Sequence, residues 1–69
     1  MKLDPNDADA YAVRGIAYLD KGDYDRAVAD LTHALKLDPN DADAYTDRGR
    51  AYHNKGDLDR ALADYTQAL

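Results

Sequence analysis

The chain has no cysteine, which excludes disulfides and thiolate chemistry and leaves its compartment undictated by redox. Serine is missing too, and the few threonines fall on the expected surfaces of helices, so no nucleophile, base and orienting residue can come together for covalent catalysis. Glutamate is also absent. All fourteen acidic residues are Asp, although Glu is the better helix former at interior positions; a sequence optimised for helix propensity would not make that choice, so the chain looks drawn from natural sequences. Positive charge is scarce: nine Lys and Arg against fourteen Asp give a net charge of -5 and a pI near 4.6. No basic stripe exists to displace counterions from a phosphate backbone, so nucleic acid is excluded as a partner. No apolar run approaches the roughly 18 residues of a membrane span, and no apolar segment follows the Met-Lys start to act as a signal. The expectation is a protein without membrane contact, in the cytoplasm.

What is present is repetition. Residues 2–35 and 36–69 align as 34 pairs, of which 25 are identical. Leu3 to Tyr11 reads LDPNDADAY and so does Leu37 to Tyr45, and the same pattern of Arg-Gly, Ala-Tyr, Lys-Gly-Asp and Asp-Arg-Ala follows each at the same distance. A repeat of this length is one supersecondary unit that can bury its apolar face only against a neighbour. With 69 residues and 33% charged side chains, the chain makes at most one small domain, in the size range where a core alone stabilises weakly.

Punctuation places the helices. Asp7 and Asp41 follow a Pro-Asn turn and can cap a helix start, with Asp9 and Asp43 favourable to the dipole in the first turn. Gly22 and Gly56 end that helix at a Lys-Gly-Asp turn, after which Asp23 and Asp57 cap the next one. The second helix is expected from about residue 25 to 36 and from about residue 59 to the end, and residues 37–40 form the linker because Pro39 pushes its predecessor out of helical geometry. The order is helix A1, B1, A2, B2.

These residues resemble the tetratricopeptide repeat (TPR) family. Its pattern of a large residue, Leu-Gly and Tyr on helix A, then Ala, an aromatic and Ala on helix B, then Pro, is held here by Tyr11, Gly15, Tyr18, Ala27, Leu31, Ala34 and Pro39. The second unit supplies Tyr45, Gly49, Tyr52, Ala61, Tyr65 and Ala68. The resemblance covers the whole chain and implies an all-α fold, an α-solenoid of two helix-turn-helix repeats stacked right-handed. The expected domain is residues 1–69, with repeat 1 at 8–41 and repeat 2 at 42–69, the latter stopping before its linker and capping helix. The small residues fit that packing, since Gly15 and Ala27 let the paired helices approach closely.

Both copies depart from the family in the same way: Arg14 and Arg48 replace the usual Leu before the helix-A Gly, and Asp30 and Asp64 replace a large apolar residue on helix B. Both positions face the helix pair by their spacing. This predicts a partly buried Arg–Asp pair, within each unit or between Asp30 and Arg48 across the unit boundary. Reading the arginines as ligand anchors is the weaker alternative, because the spacing points them at the core.

The nine differences between the copies carry the functional reading. Five fall on helix A, Ala12/Thr46, Val13/Asp47, Ile16/Arg50, Leu19/His53 and Asp20/Asn54, all within roughly 60° of the Ile16 direction at about 100° per residue. The TPR resemblance implies that this variable stripe lines the concave groove and binds a protein or peptide. The candidate site is therefore Ala12, Val13, Ile16 and Leu19, an apolar half, with Thr46, Asp47, Arg50, His53 and Asn54, a polar half. A peptide with aliphatic side chains over the first half and an acidic group near Arg50 fits both. Drift of unconstrained surface positions is the plain alternative, but exposed positions on helix B such as Asp25/Asp59 and Arg26/Arg60 did not vary. Differences such as Tyr24/Leu58, Val28/Leu62 and Leu31/Tyr65 exchange bulky apolar residues, as repacking of a core would. Some family members hold a terminal carboxylate with Lys, Asn and Arg on successive A helices; the matching places here include Ala12, Ile16, Asp43 and Asp47, so no such clamp assembles.

No cofactor or metal is expected. The stretch Asp38 to Asp43 looks superficially like a calcium loop but lacks the central Gly and the distal Glu, and His33 and His53 stand on different helices with no partner in ligand spacing. The chain is thus expected not to be an enzyme. Met1 takes the repeat position of Leu35 and Leu69, so the sequence reads as a concatenable unit, excised from a longer array or built by consensus. With no polar capping helix after it, helix B2 should expose Leu62, Tyr65 and Leu69, and Ala10 and Ala17 on helix A1 are the natural complement. Self-association into a homo-oligomer, as a closed dimer or an open stack, is the competing function.

Overall fold

The computed structural model describes residues 4–69; the repeat register of Met1 lies outside them. Four helices follow one another: α1 Ala8–Lys21, α2 Tyr24–Leu37, α3 Ala42–Lys55 and α4 Leu58–Ala68. They are the expected A1, B1, A2 and B2, and the described residues contain no strand. Each helix packs on the next in sequence, and α1 also touches α3. The result is two helical hairpins laid side by side, with α2 and α3 forming the seam.

Every helix starts on an Asp. The carboxylates of Asp7, Asp23, Asp41 and Asp57 each accept a hydrogen bond from the backbone N–H three residues on, at 3.2 to 3.3 Å. That satisfies one of the four N–H groups a helix start leaves without a partner. The two hairpin turns close at Gly22 and Gly56, whose φ values of 87° and 91° lie in the left-handed region that favours glycine. Helix α2 runs one residue further than expected, through Leu37, because the Asp38 N–H still donates to Ala34 O at 2.8 Å and Pro39 restricts only the residue before it.

Within each hairpin the glycine of the A helix sets the approach. A Cβ on Gly15 would stand 2.9 Å from Leu31 Cγ, and one on Gly49 would stand 2.7 Å from the Tyr65 ring. Leu31 is fully buried against this spot. The seam between hairpins is lined by Leu19, Ala27 and Ala51, with Tyr18, Tyr24 and Val28 packed around them.

The Arg–Asp pairs form within each hairpin, which resolves the alternative left open by spacing. Arg14 donates to Asp30 through Nε at 2.7 Å and Nη2 at 2.8 Å; Arg48 does the same to Asp64 at 2.8 and 2.7 Å. This fork geometry gives the strong, directional form of the interaction. Each guanidinium also lies about 6 Å from two tyrosine ring centres, Tyr11 and Tyr18 for Arg14, Tyr45 and Tyr52 for Arg48, a distance at which cation–π attraction adds to the pair. The cross-seam element is different: Arg48 Nη1 donates to Thr32 Oγ1 at 3.3 Å. Lys55 Nζ likewise donates across the seam to Asp25 Oδ1.

Candidate functional site

Because α1 and α3 touch, the outward faces of the two A helices make one surface. Val13 is its most open apolar residue, 57% exposed, and it sits beside the half-buried Ala12 and Ile16 on α1. On α3, Thr46 and Asp47 are half-buried while Arg50 and Asn54 are exposed. The Thr46 hydroxyl is occupied, donating to Ala42 O one turn back at 3.1 Å, so it offers a ligand only its acceptor side.

Asp47 and Arg50 form a loose pair, Arg50 Nη1 to Asp47 Oδ1 at 3.5 Å. Burial raises the Asp47 carboxyl above its ordinary range, Arg50 works against that shift, and Asp43 and Asp41 reinforce it. An uneasy carboxylate next to an exposed guanidinium makes this end of the surface responsive to an incoming charge.

Two members of the predicted stripe lie at its edge, and only one of them is covered. Leu19 is 4% exposed and belongs to the seam cluster with Ala27 and Ala51, so it is unavailable to a ligand on the helix-A face. His53, at the equivalent place one repeat later, lines an apolar cleft on the outer side of the second hairpin with Leu58, Ala61, Leu62 and Tyr65. The cause is angular: these positions lie about 60° from Ile16, at the edge of the stripe where a neighbouring helix packs. In the first hairpin α3 covers that edge, and in the second it is open.

The cleft opens where helix B2 is uncovered. Its volume is about 200 Å³, and Leu58 and Leu62 beside it are 56% and 64% exposed. Leu62 and Tyr65 were legible as the open side of helix B2. Leu58 and Leu62, expected as repacked core from their pairing with Tyr24 and Val28, are instead exposed because no helix covers that face of α4. Leu69 is fully exposed. On the opposite side of the molecule Ala17 is exposed and Ala10 half-buried, whereas their counterparts Ala51 and Ala44 are buried.

No three His, Cys, Asp or Glu side chains come together among the described residues, and no described helix is long and apolar enough to cross a membrane.

Paired antiparallel helices, a glycine-mediated close approach in each pair and a shared seam define a helical-repeat protein. A family model described as TPR repeat matches residues 15–56, more than half of the chain, and the chain belongs to the TPR repeat family. No curated protein matches it. Membership of this family points to a protein–protein interaction scaffold.

Proposed function

We propose that the chain is a non-catalytic scaffold that binds a peptide segment across the joint outer face of α1 and α3. The observation that carries this reading is the exposure of Val13 on α1 and of Arg50 on α3, two helices that touch. An apolar patch rimmed by polar groups is the usual mark of a contact site. Ala12, Val13 and Ile16 receive aliphatic side chains, and Arg50 with Asn54 receives an acidic or amide group, while Thr46 and Asp47 set the local polarity. The residues of this face are exposed or half-buried, and affinity rests on two or three anchors among them. The test is fluorescence anisotropy with peptides selected on the protein: Val13→Asp, an exposed change, abolishes their capture while far-UV dichroism stays the same. Capture that survives Val13→Asp places the ligand on another surface.

A second reading is favoured by a different observation, the open apolar cleft beside Leu58 and Leu62. Here the protein associates with copies of itself through that cleft, with Leu62, Tyr65 and Leu69 on one side and the Ala10 and Ala17 face of α1 as a candidate complement. Leu62→Asp dissolves such assembly without touching the peptide face, which separates the two readings in one experiment.

A further inference from the structure

The seam between the hairpins is also a record of what each outer surface fits. Because the two halves repeat, α1 presents outward the same positions that α3 buries in the seam, and α4 presents outward the positions of α2 that receive them. In the seam, Ala44 and Ala51 are buried against the first hairpin, Lys55 reaches Asp25 and Arg48 reaches Thr32. The α1 equivalents are Ala10, Ala17, Lys21 and Arg14, and the α4 equivalents of the acceptors are Asp59 and Thr66.

We propose that a second copy of the chain docks head to tail, with α1 of one copy seated in the Leu58–Leu62 cleft of the other as α3 is seated on α2. This rests on the self-association reading and adds its polarity and register. Lys21 of one copy then pairs with Asp59 of the next, and Arg14 reaches Thr66 as Arg48 reaches Thr32. The groups concerned are available: Lys21 and Asp59 are exposed and form no ion pair among the described residues. The Arg14 side chain keeps 41% exposure where that of Arg48 keeps 19%, the difference a covering neighbour makes. Opposite charges at matching positions also answer the objection that a chain of net charge -5 should repel its copies. A heterologous contact of this kind leaves one α1 face and one cleft free at the ends, so the assembly grows past the dimer.

One residue weakens the copy-to-copy junction relative to the seam. His53 stands where Leu19 is buried, and an imidazole placed there must give up water for an apolar surround. His53→Leu therefore strengthens association.

The experiment is sedimentation of the full chain from micromolar to millimolar concentration. Wild type is expected to gain mass with concentration past the dimer, and Leu62→Asp to stay monomeric. Lys21→Asp alone and Asp59→Lys alone each set like charges together at the junction and weaken association about two- to fivefold, from the magnitude of exposed ion pairs. Mixing those two variants restores it, because each junction in the mixture again joins opposite charges, while far-UV dichroism confirms that both are folded. A mass that levels off at the dimer and ignores Lys21→Asp overturns the head-to-tail polarity and leaves self-association standing. A wild-type monomer across the whole range overturns both.

Discussion

The carboxylate of Asp64 and the guanidinium of Arg48 meet through two hydrogen bonds of 2.8 and 2.7 Å, with side chains only 6% and 19% exposed. The corresponding pair in the first hairpin, Asp30 and Arg14, has the same geometry, but the Arg14 side chain is 41% exposed. The hydrogen bond to the carboxylate, opposed by burial, holds each guanidinium above its ordinary range. Two chemically identical pairs thus sit in different surroundings, and that difference can be measured.

Removing the carboxylate leaves an unpaired cation, and the penalty grows with how little water can reach it. Asp64→Ala is expected to lower stability on the order of 3 kcal/mol, and Asp30→Ala by less, because Arg14 can be rehydrated in place. Urea unfolding followed by helicity ranks the two. Equal losses would mean that exposure of the arginine does not set the cost.

The glycines of the A helices give a second ranking. Alanine is the better helix former by about 1 kcal/mol, yet a Cβ on Gly15 meets the fully buried Leu31 at 2.9 Å. On Gly49 it meets the Tyr65 ring at 2.7 Å, and that ring borders the open cleft and can swing outward. Gly15→Ala should destabilise by about 1 to 3 kcal/mol, the ordinary cost of overpacking, and Gly49→Ala by less. Thermal unfolding of the two variants checks the order.

Asp47 carries a pH signature of definite sign. Its carboxyl is raised in the folded chain, chiefly by burial, so the folded state holds the proton more tightly than the unfolded state does. Stability from this group is fully present below the unfolded pKa and is lost as pH rises through the folded one. Asp47→Asn is therefore more stable than wild type at pH 7, and the advantage shrinks on acidification through the carboxylate range. Paired urea titrations at neutral and acidic pH read the difference; an advantage that grows on acidification would reverse the sign.

The helices were legible because their boundaries are written in local chemistry: Asp at each start, Gly at each hairpin turn and Pro39 in the linker act on their own backbone. The Arg–Asp pairing was legible as a contact but not as a choice of partner, since spacing along a helix says which face a residue occupies and not which neighbour lies opposite. Leu19 shows the limit for the site. Apolar residues of a binding surface and of a seam look alike in sequence, and only the position of α3 reveals that Leu19 is covered while Val13 is open. His53, at the equivalent place one repeat later, stays exposed because no further helix covers that edge.

On the proposed function, the α1–α3 face, centred on Val13 and Arg50, captures a peptide. The most direct measurement is selection from a random peptide library on the wild-type protein, followed by binding of the enriched peptides to wild type, Val13→Asp and Arg50→Asp. Enriched sequences should combine aliphatic with acidic residues, bind wild type, and fail on both variants. No enrichment, or peptides that bind Val13→Asp and Arg50→Asp as well as wild type, would contradict the account.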